Sequence, residues 1–394
     1  MNKPLFKPFT TSLMGSLPRS KQLMDARRKA AAGKISSEDL LDLINKETEE
    51  AVHMQEECGI DIVTNGELSR DNYVSFVADR LENAVMMSMG EMIEYIDDKK
   101  SFEQILSTLD VPSVSIKNAI CAGKLSYTKD IVAHEMHALK KITAHPVKAT
   151  LPGPYLLTRS MWLPALSGKF YDSKEEMGED VIEILLRECD RLIEEGVEVV
   201  QFDEPVLTEV VFSGGKTRSF MCAALSEKKD PTEELLFAGG LIERIMDYLR
   251  DKPILSSLHV CRGNWSKDES ILLSGPYSPL TGVFERSIPD MLTLEFSTPR
   301  AGELDSLLQN ETIRNRCILG LGVINPRTDI IETADQIQAR AEEALKYLPP
   351  ERIFLNPDCG FATFSNRPVN SFDIIRRKIG ELEKAKDYLR KRYA

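Results

Sequence analysis

Histidine is scarce in this sequence, five in 394 residues, and cysteine is modest and odd in number, at seven. That is no disulfide-stapled secreted scaffold. The thiols are expected to be reduced, free to pack or to bind metal. Basic charge is also short: 50 Lys+Arg against 62 Asp+Glu leave a net charge of −12. This excludes the basic face that nucleic acid demands and a polybasic membrane anchor. No stretch of about 18 apolar residues runs free of charge, so no transmembrane helix is expected. The first eleven residues are broken by Pro4 and Pro8 and hold no apolar run, so no targeting segment is read there and the cytoplasm is the expected location. Internal repeats, low-complexity tracts and Gly/Ser linkers are missing too.

What is present is alternation. Short apolar runs, each about a strand long, are separated by helical patterns. Ser36 or Ser37 can open a helix with apolar residues at Leu40, Leu43, Ile44, Ala51, Met54 and Cys58, and Gly59 closes it. Ser173 and Glu176 form a capping-box pattern before Ile182, Leu185, Leu186, Cys189, Leu192 and Ile193, closed by Gly196. The strand candidates are Phe9–Met14, Ile60–Val63, Val147–Leu151, Glu198–Phe202, Ile254–Leu258, Met291–Phe296, Cys317–Val323 and Arg352–Leu355. Eight strand–helix repeats predict an α/β fold, a (β/α)8 TIM barrel, with an open doubly wound sheet as the alternative. The interval of about 70–146, between the second and third candidates, is too long for a crossover. It predicts an inserted subdomain within a single barrel spanning 1–394. The interval carries a methionine-rich patch, Met86, Met87, Met89 and Met92, read as core or lid of the insertion. The basic C-terminal stretch, Arg376 to Arg392, reads as the solvated face of a helix.

A barrel places its working groups just beyond the C-terminal ends of its strands. Those positions hold His259 and Cys261, Glu295, and Cys359. His259 and Cys261 are two apart, so one strand end can aim both at the same point. Two thiolates, an imidazole and a carboxylate suit Zn²⁺, in a site where one ligand can be displaced. Cys58, Cys189 and Cys317 read as core, and Cys121 and Cys222 hold no such position. His53, His134, His137 and His145 read as surface or helix residues. Other strand ends carry Gly15-Ser16, Glu67, and Asp203-Glu204, with Glu209 beyond. Acids there suit an ammonium group, and backbone N–H groups near Gly15-Ser16 suit a carboxylate. The combination describes an amino-acid site beside a thiolate-binding metal. Ser213-Gly214-Gly215-Lys216 lacks the spacing of a phosphate loop.

At these residues the sequence resembles the cobalamin-independent methionine synthase family, specifically its catalytic C-terminal barrel, as a short single-barrel member. The matching blocks are Leu13–Ser20, Asp61–Asn72, Leu151–Tyr155, Gln201–Glu209, Leu258–Asn264, Leu294–Arg300 and Leu355–Phe361. The resemblance implies His259, Cys261, Glu295 and Cys359 as zinc ligands. It implies Met14, Gly15 and Ser16 as the segment that binds the homocysteine carboxylate, Glu67 and Asp203 as acids for its amino group, and Glu209 as an acid on the methyl-donor side. Three departures accompany it. The length leaves no room for the family's extra N-terminal barrel. Ser160 stands where the family places a tryptophan beside folate, with Trp162 close by. The loop Asn325-Pro326-Arg327 lacks the family's proton-donating histidine.

The reaction so implied is zinc-dependent methyl transfer to the thiol of homocysteine, giving methionine. The donor is 5-methyltetrahydrofolate or a methylcorrinoid, the latter free or carried by a corrinoid protein. Alkyl transfer to another thiol such as coenzyme M, and a non-catalytic zinc-binding barrel, stand as the alternatives.

Overall fold

The computed structural model describes residues 2–95, 117–213, 230–264, 266–365 and 368–394. Its first two regular strands are not barrel strands. They are β1 (Leu81–Ser88) and β2 (Lys117–Tyr127), an antiparallel pair inside the long interval. The barrel ladder follows as β3 (Lys148–Pro152), β4 (Val199–Asp203), β5 (Leu255–Val260), β6 (Met291–Leu294), β7 (Ile318–Ile324) and β8 (Ile353–Pro357). These six strands pair in sequence order, all in parallel.

The first two expected strands take part as bridges only. Thr11 pairs with Leu355, Ser12 with Ile62, and Val63 with Val147. Those bridges close the ring between β8 and β3, so the sheet is closed and the open alternative is excluded. Ladder length is lost there because side chains take over the backbone groups. The Thr11 N–H donates to Asp61 Oδ2 at 2.8 Å, and Arg390 donates to the same carboxylate oxygen at 2.9 Å.

Helices follow the apolar period. The helix Lys174–Glu194 buries Met177, Val181, Leu185, Cys189 and Leu192 along one stripe. Ser173 caps it by accepting from Glu176 N–H, but the Glu176 carboxylate accepts from Asp172 N–H instead of closing the box. Ser36 and Asp39 do form a complete box at the head of the helix Ser37–Glu57. Cys121, Cys189 and Cys317 are buried and Cys58 is half-buried, while Cys222 lies outside the described residues. The last helix, Phe372–Tyr393, packs Ile375, Ile379, Leu382 and Leu389 inward as expected. Its basic side is not wholly solvated, which corrects the sequence reading. Lys378 is buried and donates to Asn325 O at 3.0 Å and to Glu332 at 2.8 Å, and Lys386 is buried as well.

The insertion is tied to the barrel by buried charge. Glu188 accepts from the backbone N–H groups of Ile131, Val132 and Ala133, each at 2.7 Å. Met89 and Met92 are buried and Met86 and Met87 half-buried, in keeping with a packing role. No helix among the described residues is long and apolar enough to cross a membrane.

The barrel interior is layered, because inward side chains alternate along parallel strands in register. Ile62, Val199, Leu255, Met291 and Phe354 form an apolar floor, separate from the main core between strands and helices. Above it lie Gln201 beside Ser257 and Thr293 beside Gly320, with Ser257 Oγ and Thr293 Oγ1 2.9 Å apart and Asn356 next to Gly320. Asp203 and His259 pair at the top. Glycine in β7 makes room for these polar groups. A Cβ on Gly322 would lie 2.3 Å from Asp358 Oδ1 and 2.6 Å from Leu294 O. Because one of those atoms is backbone, Gly322→Ala is expected to cost about 1–3 kcal/mol. Urea unfolding checks this, and an unchanged midpoint would show that β6 and β7 do not approach so closely.

Candidate active site

Register brings the first pair together. Asp203 ends β4 and lies beside His259 on β5. Asp203 Oδ1 and His259 Nδ1 are 2.9 Å apart, and the carboxylate can only accept, so Nδ1 carries the proton. The other ring nitrogen is left for a different partner. Cys261 follows β5 directly, and Cys359 lies just past β8. Ligand atoms of His259, Cys261 and Cys359 lie within 4.8 Å of one another, and all three residues are buried. Among the described residues this is the one group of its kind.

The trio is electrostatically prepared. The contact with Cys359 and the His259 ring together hold the Cys261 thiol down at about 6, against the cost of burial. Burial works against a charged imidazole, but Asp203 and Cys261 raise His259 to about 10. Cys359 is pushed up by Cys261 and by burial. The neighbours of Cys261 thus favour its thiolate form.

Glu295 stands apart from the trio. Its Oε2 accepts from Arg262 N–H at 3.1 Å, and its Oε1 accepts from Arg300 and Arg327, each at 3.0 Å. Burial alone would raise this carboxyl, but the three guanidinium groups hold it below the usual range. Arg327 also donates to Asp358 Oδ2 at 2.8 Å and to Glu269 at 3.0 Å. Asp358 Oδ1 accepts from Phe296 N–H and Ser297 N–H. The sequence reading missed this arginine cage. Its only trace was three arginines in loops that follow β5, β6 and β7.

The other expected residues converge from the opposite side. Met14, Ser16, Glu67, Asp203, His259, Cys261 and Cys359 line one cavity. Gly15 supports it from behind, where a Cβ would lie 2.2 Å from Glu67 Oε1. Glu67 has a φ of 54° and follows Gly66 at 70°, a left-handed pair held by Asn65 Oδ1, which accepts from Glu67 N–H at 3.0 Å. That strained turn aims the Glu67 carboxylate inward. Burial raises its pKa despite Arg70. Glu209 does not line the cavity; it is buried and bound by Arg159 at 2.8 Å. Tyr73, from the start of the insertion, and Phe364 face each other at the cavity with ring centroids 6.5 Å apart. Asn72 and Phe364 also form a backbone bridge there.

A closed β/α ring with a soft-donor trio and two carboxylates in one cavity defines an enzyme of the TIM-barrel type. The family model described as "Cobalamin-independent synthase, Catalytic domain" matches residues 9–228 and 257–372. The chain belongs to that family and is a methyltransferase. It is 26% identical over 358 residues to an uncharacterized protein of Bacillus subtilis, YxjH, covering 90% of this chain and 88% of that one. It is 25% identical over 351 residues to a methionine synthase of Sulfolobus acidocaldarius, covering 89% and 85%. A B12-independent methionine synthase from Shewanella sp. W3-18-1, solved with selenomethionine, superposes with a TM-score of 0.71 at 21% identity, over 98% of each chain. That likeness shows the fold.

The insertion reaches the site through Arg70, which donates to Glu135 at 2.7 Å and to Thr150 O at 3.0 Å. Burial would raise Glu135, but Arg70 and Ser69 bring it down to about 2. A carboxyl depressed from about 4.3 when unfolded contributes stability that is full above that pH and is lost as pH falls toward 2. The contribution is of the order of about 3 kcal/mol. In Glu135→Gln the acid-side slope should be shallower by that amount, as read from unfolding free energies measured between pH 2 and 6. Parallel curves for the two proteins would remove the ion pair from the account.

Proposed function

We propose that this chain transfers a methyl group to the thiol of homocysteine, using a zinc ion held by His259, Cys261 and Cys359. One observation carries the reading: the trio opens into the same cavity as Glu67, Asp203, Met14 and Ser16. The donor set fits the ion, since thiolates and an imidazole with its second nitrogen bonded to a carboxylate are what zinc selects. When bound, zinc supplies a deprotonated, nucleophilic acceptor sulfur at neutral pH.

The chain's own residues do the rest. Backbone N–H groups of the segment Met14–Ser16 hold the substrate carboxylate, and Glu67 and Asp203 receive its ammonium group. These contacts fix the sulfur toward the trio and contribute by proximity. Three protein donors leave a fourth place for that sulfur. Glu295, expected as a fourth ligand, is occupied by its arginines, and we assign it to holding the loops rather than to holding the ion at rest. Glu209 acts on the donor side through Arg159. The reading takes residues 1–394 as one catalytic unit, with the insertion reaching the cavity mouth at Tyr73.

The donor is a methyl-folate or a methylcorrinoid. Arg327, in the loop that lacks a histidine, is bound by three carboxylates and stays charged, so it supplies no proton. A cobalt leaving group needs none. Coenzyme M, the alternative acceptor, has no ammonium to meet Glu67 and Asp203.

Metal analysis tests the site. Wild-type protein should hold one zinc per chain, Cys359→Ala and Cys261→Ala should lose it, and Glu295→Gln should keep it. Zinc retained by Cys359→Ala would overturn the assignment. With homocysteine as acceptor, a panel of methyl-folates, methylcobalamin and S-methyl compounds should give methionine with one donor class. Zinc-loaded protein that gives none, but alkylates coenzyme M, would overturn the acceptor.

A further inference from the structure

Lys148 is an unexpected residue for the inside of a barrel. It is 2% exposed, sits at the start of β3, and its Nζ lies 2.9 Å from Gln201 Oε1. Gln201 is 1% exposed, and its Nε2 lies 3.1 Å from Met14 O and 2.8 Å from Asp203 Oδ1. Amide orientation is ordinarily a matter of assignment. Here two neighbours decide it independently. The Asp203 carboxylate has no donor, so the atom facing it must be nitrogen, which leaves the oxygen toward Lys148. A backbone carbonyl has no donor, so the atom facing Met14 O must be nitrogen. Both demands give the same orientation.

We infer that Lys148 and Gln201 are positioning residues, which set the direction of a buried hydrogen-bond chain running from Lys148 through Gln201 and Asp203 to His259. Lys148 donates to Gln201, Gln201 donates to Asp203, and Asp203 is left as acceptor for His259 Nδ1–H. With Nδ1 so engaged, the far nitrogen of His259 is the one left for the metal, which would take the place of its proton. The same amide also holds the Met14 carbonyl, at the head of the segment that receives the substrate carboxylate. One side chain thus joins the metal half of the cavity to the amino-acid half. Burial pushes Lys148 down to about 7, while Asp203 and Glu67 pull the other way. An unpaired lysine at this depth is costly, and an apolar residue would fill the space without that cost.

The inference rests on the proposed metal site, and its test separates the two. Lys148→Met removes the donor at similar length. Gln201→Glu keeps a partner for Lys148 but removes both N–H donors. Glu188→Gln, at the buried cap of residues 131–133, serves as a destabilised control away from the cavity. Zinc affinity is read by competition with a chromophoric chelator. Outer partners of metal-bound histidine typically matter by about 10–100-fold. Gln201→Glu and Lys148→Met are expected to weaken zinc by about 10-fold, and Glu188→Gln to leave it unchanged at a comparable loss of melting temperature. In metal-free protein with labelled glutamine, the Gln201 side-chain amide should exchange slowly in wild type and quickly in Lys148→Met. Wild-type zinc affinity in both variants, or unchanged amide exchange in Lys148→Met, would overturn the chain. Wild-type protein that takes no zinc would overturn the metal site, and the exchange measurement would still decide the hydrogen bonds.

Discussion

Arg327 is fully buried, and the site depends on what it holds. It binds Glu295 after β6 and Asp358 after β8 while itself belonging to the loop after β7. Three neighbouring strand ends are pinned by one guanidinium. Asp358 precedes Cys359, and Glu295 accepts from the backbone of Arg262, which follows Cys261. The two thiols are brought together by charges that do not touch either sulfur. Buried ion pairs of this kind contribute little net stability compared with apolar packing, yet removing one partner typically costs about 3–5 kcal/mol. The arrangement therefore reads as a device for placing loops.

Layering explains where such a device can sit. The floor of the barrel is apolar, the middle is polar and small, and the charge is at the top. Gly320 and Gly322 leave β7 without side chains in the two upper layers. The volume they free is taken by Thr293, Asn356, Asp358 and Glu295. Polar groups so placed are satisfied by one another. Substrate is then met by groups already in position, without reorganisation during reaction.

Much of this was legible in the residues. The strand–helix period gave six of the eight strand positions to within a few residues, because parallel strands buried on both faces read as apolar runs. His259, Cys261 and Cys359 were found from their place at strand ends, and the structure gathers them. The first two strands were read as regular and form only bridges. Asp61 competes for the Thr11 backbone, a tertiary effect that no local pattern carries. The hairpin of the insertion was invisible for a similar reason: β1 is largely exposed and lacks clean alternation. Glu295 was legible as a strand-end acid, but its partners were not. A carboxylate and three arginines scattered over about sixty residues show their relation only when the ring is closed.

Glu295 was expected as a fourth ligand, and in the structure both its oxygens are held by arginines. A carboxylate bound on both oxygens by cations has little electron density to offer a metal. To reach the trio it would have to give up its bonds to Arg262, Arg300 and Arg327 in a buried space, although Arg327 would keep Asp358 and Glu269. A sulfur approaching from the cavity would break none of these bonds. On the proposed reading, the arginines would bias the fourth position toward an incoming thiol. Asp203 supports the same bias from the other side, since it fixes the His259 ring while facing the cavity where an ammonium group would lie. On the proposed reading, binding of an amino-acid thiol and ordering of the donor trio would be linked through that one carboxylate.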